Sequence, residues 1–84
     1  MTLKRKKEIR RLFGLHLQHH RLHVLKVNSV RQLSFYSNLD HSKLTKIEKG
    51  LIDFRFDTLI ELAETYKLKQ KELFNFPVDF WNEE

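Results

Sequence analysis

Apolar residues recur at steps of three and four along this chain, which is the spacing of one face of an α-helix. In the first such run, Ile9, Leu12, Phe13 and Leu17 predict a helix over about residues 6–25. Four shorter helices are predicted at about residues 30–37, 41–49, 56–66 and 70–74. The fold class that follows is all-α, a compact five-helix bundle. Its 84 residues form one small domain with a modest core.

The pattern also predicts which parts of these helices are buried. We expect one stripe of the fourth helix to face the core: Phe56, Leu59, Ile60, Ala63 and Tyr66. Gly14 costs the first helix roughly 1 kcal/mol relative to alanine, so we expect another helix to pack closely there. The link after that helix is more apolar than a solvated loop, and some of Val24, Leu25 and Val27 should be buried.

Residues 34–50 have the pattern of two short helices joined by a tight turn and followed by a helix stop. Ser34 is small, which suits a close helix crossing. Asn38 can adopt the left-handed backbone conformation that a sharp turn requires. Asp40 is placed to cap the next helix by accepting a backbone N–H bond, and Gly50 is placed to end that helix.

The helix expected at about residues 41–49 is apolar on one side only. Leu44 and Ile47 lie three apart on the face that would pack against the core. Five polar residues remain on the outward face: His41, Ser42, Lys43, Thr45 and Lys46. A helix that packs against the protein on one face and is polar on the opposite face suits insertion into a DNA major groove.

Charge is unevenly distributed along the chain, whose net charge is +5. Residues 1–39 contain nine Lys or Arg and one acidic residue, whereas residues 40–84 contain seven Lys or Arg and ten acidic residues. This asymmetry favours a surface that faces an anionic polymer, with solvated surface charge as the alternative. Residues 1–7 are expected to be a flexible basic N-terminus, which either follows the DNA as an arm or contributes only long-range attraction.

Several short motifs occur in an ordered spacing. They are Phe13-Gly14, Leu17, Arg21, Leu33-Ser34, the Ser37-Asn38-Leu39-Asp40 turn, Ile47-Glu48-Lys49-Gly50, residues 58–63 and Glu72-Leu73-Phe74. Through these motifs the chain resembles the Cro and phage-repressor type of helix-turn-helix domain, often called the XRE family, from residue 13 to residue 74. The resemblance implies a phage-repressor-like DNA-binding domain over residues 8–76.

The resemblance implies roles for individual residues. Its base-reading positions fall on His41, Ser42 and Lys46, with Lys43 and Thr45 beside them. Of these, Lys46 would donate to guanine O6 and N7 in the major groove. Phosphate contacts are expected near the start of the second helix, in the turn and beside the loop after the third helix, from Ser29, Arg31, Asn38, Lys49 and Arg55.

The resemblance also implies a structural ion pair between Arg21 and Glu48, which would fix the first helix to the third. If the pair is buried, loss of one partner costs roughly 3–5 kcal/mol, because a charge is left uncompensated.

Residues 77–84 form an aromatic and acidic C-terminal tail. Together with the residues before them they contain four large aromatic side chains, Phe74, Phe76, Phe80 and Trp81, which are too apolar to remain in water. These side chains either fold back on the first and fifth helices or meet a second subunit. Because members of the resembled family often pair through this end, we expect a homodimer on a palindromic operator.

Other site classes receive little support. His16/His20 and His19/His23 are pairs at a spacing that can bind zinc. The chain has no cysteine and that helix has few carboxylates, so we expect surface histidines and no metal site. No catalytic constellation is present, and we expect neither enzymatic activity nor a cofactor. No apolar run approaches the roughly 20 residues that cross a membrane, and a cytoplasmic location is expected.

The expected function is sequence-specific binding of double-stranded DNA by a small transcription regulator, such as a repressor, with the helix at about residues 41–49 in the major groove. One alternative is an antitoxin, which would have a toxin partner, or a restriction–modification controller, either of which would regulate its own operon. Another alternative, from a different class, is a protein-interaction module on the same fold.

Overall fold

The long first helix begins earlier than its apolar stripe predicts. The computed structural model describes residues 1–81, and α1 spans Leu3–His23. Thr2 is the N-cap of α1, because its backbone is extended and its Oγ1 accepts a hydrogen bond from Arg5 N at 3.1 Å. The start predicted at about residue 6 is therefore too late, and the cap brings residues 3–7 of the basic N-terminus into the helix.

The other helices lie close to their predicted positions. They are α2 (Val30–Ser34), α3 (His41–Glu48), α4 (Phe56–Thr65) and α5 (Gln70–Leu73). No strand occurs within residues 1–81, so the all-α, five-helix class is confirmed for that part of the chain. The Cα radius of gyration is 12.7 Å, close to the roughly 12 Å of a compact chain of this length. The principal extents of 42 × 23 × 21 Å show that the molecule is longer in one direction.

Two glycines allow α1 and α3 to approach closely. A Cβ atom on Gly14 would lie 2.6 Å from the Ile47 carbonyl oxygen, and one on Gly50 would lie 2.6 Å from Arg11 Cα. The close approach predicted at Gly14 is therefore confirmed. Around this contact the buried core comprises Phe13, Leu17, Leu33, Leu44, Ile47, Leu62, Tyr66 and Leu68.

The end of α3 has the geometry expected from its glycine. Gly50 has a φ of 71°, Gly50 N donates to the Ile47 carbonyl and Leu51 N donates to the Lys46 carbonyl. This pair of bonds is a Schellman motif, which satisfies carbonyls at the helix end. The same motif ends α4, where Lys67 has a φ of 53° without the freedom of glycine.

The turn between α2 and α3 differs from the prediction. Helix α2 ends at Ser34, earlier than the predicted residue 37. Asn38 is not left-handed, because the non-glycine residues of positive φ within the described chain are Lys26 and Lys67. Side-chain bonds shape the turn instead: Ser37 Oγ accepts from Leu39 N at 3.0 Å and lies 2.7 Å from Thr65 Oγ1.

The buried face of α4 matches the prediction only in part, because Tyr66 is fully buried and Leu59 packs against the core, as expected. Phe56 and Ile60 are 72% and 56% exposed, while the buried residues of the helix are Thr58, Leu62 and Thr65. Polar groups contribute to the buried side of the helix, since Thr65 pairs with Ser37 and Tyr66, next along the chain, pairs with Glu48. These polar partners lie on other elements and do not appear in the apolar pattern of the helix.

The described part of the C-terminal tail folds back on α1. The Phe13 ring lies 5.7 Å from that of Phe74 and 6.1 Å from that of Phe76, and Phe80 packs edge-on against Phe74 at 5.5 Å. Trp81 is not covered and remains 73% exposed. Residues 82–84, which complete the tail predicted at 77–84, lie outside the described residues.

Candidate nucleic-acid interface

Helix α3 is held to the body of the protein by one side. Leu44 and Ile47 are almost completely buried. At its start, Asp40 Oδ1 accepts a hydrogen bond from Lys43 N at 2.8 Å, which confirms the predicted N-cap. The orientation of α3 is therefore fixed by a capped start, an apolar back and the glycine at its end.

A buried polar network adds to this attachment. Arg21 Nε and Nη2 donate to the two carboxylate oxygens of Glu48 at 2.9 and 3.0 Å, so the ion pair implied by the resemblance is present. Arg21 Nη1 also donates to the Val27 carbonyl at 3.0 Å, which ties down the apolar link after α1. In that link Leu25 and Val27 pack against the core, whereas Val24 is exposed.

Tyr66 completes the network. Its hydroxyl donates to Glu48 Oε2 at 2.6 Å from a fully buried position. Sequence reasoning placed Tyr66 in the apolar stripe and missed this bond. A buried tyrosine hydroxyl usually has a hydrogen-bond partner, and this preference could have indicated that Tyr66 makes such a bond.

The electrostatics of the network favour a charged ion pair beside a neutral phenol. Hydrogen bonding to Glu48 raises the pKa of Arg21, against the opposing effect of burial. Burial raises the pKa of Tyr66 well above its usual range, and the nearby Glu48 carboxylate raises it further. Tyr66 therefore keeps its proton and acts as a hydrogen-bond donor to the carboxylate.

The outward face of α3 carries the predicted polar residues. His41, Ser42 and Lys46 are exposed, whereas Lys43 and Thr45 are half-buried. Thr45 Oγ1 donates to the His41 carbonyl at 2.9 Å, so its hydroxyl hydrogen is already used within the helix. The side chains that remain available on this face are an imidazole, a hydroxyl and an ammonium group.

The residues predicted to contact phosphate occupy three different settings. Ser29 caps α2 by accepting from Gln32 N at 3.1 Å, and Arg31 is exposed on the same short helix. Lys49 and Arg55 are exposed at the end of α3 and the start of α4, on either side of the connecting loop. Asn38 Nδ2 lies 3.3 and 3.4 Å from the two oxygens of the Glu61 carboxylate, a charge that opposes a phosphate at this position.

His16 and His20 of α1 are less exposed than predicted, whereas His19 and His23 lie at the surface as expected. His20 is 6% exposed, and its Nε2 has no hydrogen-bond partner among the described residues. His16 Nε2 lies 2.6 Å from the Glu72 carbonyl oxygen, which joins α1 to α5. Across residues 1–81, no three or more His, Asp or Glu side chains are arranged to hold a metal ion.

Comparison of the chain with protein-family models, with curated proteins and with solved structures returns no significant match. Within the residues that the structure describes, no helix combines the length and the apolar character needed to cross a membrane.

Proposed function

We propose that this protein binds double-stranded DNA in a sequence-specific manner, as a small XRE-type helix-turn-helix transcription regulator. The observation that carries the proposal is the asymmetry of α3. Its back is buried through Leu44, Ile47 and the Arg21–Glu48 pair, while its front presents exposed polar side chains. A helix fixed in this way can enter a major groove without losing its contacts to the protein.

Base reading is assigned to the exposed residues of this face. Lys46 would donate to guanine O6 and N7, His41 would bind a purine N7 or a phosphate, and Ser42 would donate or accept. The half-buried Lys43 and Thr45 flank them. Thr45 offers mainly its methyl group, because its hydroxyl hydrogen is bonded to the His41 carbonyl.

Phosphate contacts would fix the register of the protein on the duplex. Arg31 on α2 and the pair Lys49 and Arg55 around the α3–α4 loop are exposed cations beside α3. Ser29 and the free amide groups at the start of α2 would add hydrogen bonds to the backbone. Each neutralised phosphate steepens the salt dependence of binding by roughly 0.9 log units per log unit of salt.

The proposed assembly is a homodimer that reads a palindromic operator in the cytoplasm. A two-fold pair would place two α3 helices on half-sites about one helical turn apart. An antitoxin or a restriction–modification controller would use the same interface on its own operon. These proteins would differ from a stand-alone regulator in the genes that they regulate, and not in the chemistry of α3.

Selection of bound duplexes from a random pool, at near-physiological salt, tests the proposal. Enrichment of a two-fold symmetric motif is the expected result. Lys46→Ala should weaken binding to the selected motif far more than binding to unrelated duplex, whereas Lys71→Ala removes an exposed lysine of α5 and should affect neither. Equal losses on motif and unrelated DNA would contradict base reading by Lys46.

A second candidate function is a protein-interaction module on the same fold. The observation that favours it is the outer face of α4, where Phe56 and Ile60 are both exposed and one helical turn apart. Failure of every duplex in the random pool to bind would favour this candidate over DNA binding.

A further inference from the structure

The start of α1 and the C-terminal tail meet at one end of the molecule. Arg5 Nη2 donates a hydrogen bond to the Asp79 carbonyl oxygen, which joins the two segments. A cavity of about 300 Å³ opens between them, lined by Met1, Thr2, Arg5, Phe80 and Trp81. None of these residues belongs to α3 or to its flanking loops, so the cavity is separate from the proposed operator-binding face.

The helix beside this cavity is strongly basic at its start. Lys4, Arg5, Lys6 and Lys7 are consecutive, and the first turn of α1 contains no acidic residue. Cations at this end of a helix oppose its dipole and repel one another. The nearby Glu8 is already paired with Arg11 at 2.6 Å. An anionic ligand would relieve this unfavourable arrangement.

The side chains that line the cavity indicate a second property of the ligand, a flat group that can stack. Trp81 and Phe80 are 73% and 46% exposed, so both present accessible aromatic surface. Arg5 Nε is buried and has no hydrogen-bond acceptor among the described residues. Aromatic rings and guanidinium planes stack on nucleobases, and neighbouring cations hold the attached phosphates.

We propose that this terminal cavity binds an unpaired nucleotide of a single-stranded nucleic acid. The base stacks against Trp81 and Phe80, and its phosphates are held by the cations at the start of α1. A bilayer surface fits less well, because helices that lie on membranes have a wide apolar face, whereas the four consecutive cations at residues 4–7 leave no apolar side on that turn of α1. Paired bases are stacked within the duplex and do not reach such a cavity.

The fluorescence of the full-length chain tests this site directly, because Trp81 is the only tryptophan. The probe is single-stranded oligodeoxythymidylate of about ten nucleotides. Saturable quenching that weakens as salt rises is expected. Phe80→Ala should raise the dissociation constant roughly tenfold through lost stacking. Lys71→Gln, a charge change on α5, should leave it unchanged.

Trp81→Ala removes the fluorophore, so its binding is measured by the anisotropy of a labelled oligonucleotide. This variant should fold normally, since the side chain is mostly exposed, and should also lose roughly tenfold in affinity. Thermal unfolding by circular dichroism checks the fold of each variant.

Three results would overturn the proposal. The first is unchanged Trp81 fluorescence when the oligonucleotide is added. The second is an equal loss of oligonucleotide affinity in Phe80→Ala and Lys71→Gln. The third is a fluorescence change with anionic phospholipid vesicles and none with the oligonucleotide. The last result would assign this end of the molecule to a membrane surface. The operator-binding function is tested separately. If that function is absent, no motif is enriched from the random duplex pool, but the oligonucleotide still quenches Trp81.

Discussion

Tyr66 and Arg21 donate to the same carboxylate oxygen, Glu48 Oε2, at 2.6 and 2.9 Å. The three side chains belong to α1, to α3 and to the residue that follows α4, and each is buried. The carboxylate therefore joins three elements of the fold behind the proposed recognition helix. Buried hydrogen bonds to a charged acceptor are among the stronger polar contributions to stability.

Removal of the Tyr66 hydroxyl should destabilise the protein. We expect Tyr66→Phe to lower the free energy of unfolding by roughly 1.5–3 kcal/mol, because Glu48 loses one of its buried donors. Urea denaturation followed by circular dichroism measures the change. Tyr36→Phe is the matched control, since Tyr36 is 83% exposed and should unfold at the same urea concentration as the wild type. Identical midpoints for both variants would show that the hydrogen bond contributes no net stability.

Stability should fall as the pH rises above about 10. Burial holds the folded-state pKa of Tyr66 above its ordinary value of 10.0, so the native state keeps a proton that the unfolded chain loses. The unfolded state then binds fewer protons than the native state, and the free energy of unfolding decreases with pH. Urea midpoints measured on either side of that pH test this, and Tyr66→Phe should have a shallower pH dependence. An equally steep dependence in that variant would assign the effect to other groups.

The sequence predicts those features of the fold that depend on local chemistry. Asp40 caps α3, Gly50 ends it with a positive φ, and Gly14 lies where α1 and α3 touch. Each of these depends on the intrinsic preference of one residue type and on its spacing from its neighbours. The positions of all five helices follow in the same way, with errors of a few residues at their ends.

The failures arise where distant contacts decide the structure. Apolar spacing alone assigns Ile60 to the core, but the side of α4 that is buried includes Thr65, whose hydroxyl bonds to Ser37 in the α2–α3 turn. Asn38 has the propensity for a left-handed turn, yet it bonds to Glu61, and the Ser37 hydroxyl shapes the turn. The same reasoning explains why part of the candidate site escaped prediction, since no local pattern joins Tyr66 to Glu48.

Addition of one methyl group at Gly14 should weaken the contact between α1 and α3. Alanine gains roughly 1 kcal/mol in helix propensity, but its Cβ would overlap the backbone carbonyls of Ile47 and Glu48. Overpacking of this kind typically costs about 1–3 kcal/mol, and we expect a net loss because the two helices must separate. Thermal unfolding measures the outcome, with Gln18→Ala on the exposed side of α1 as the control. A higher melting temperature for Gly14→Ala would mean that α3 moves away at little cost.

The cations on either side of the α3–α4 loop should determine part of the salt dependence of DNA binding. If Lys49 and Arg55 each neutralise one phosphate, replacing both with glutamine lowers the slope of log affinity against log salt by roughly 1.8. Lys71→Gln is the control, because it is an exposed lysine of α5 that the proposal does not place near DNA. Titrations of the selected operator duplex at several salt concentrations measure the slopes. The preferred sequence should be unchanged in the double variant, since phosphate contacts position the protein and base contacts specify the site. A slope equal to that of the wild type would exclude this loop from the interface.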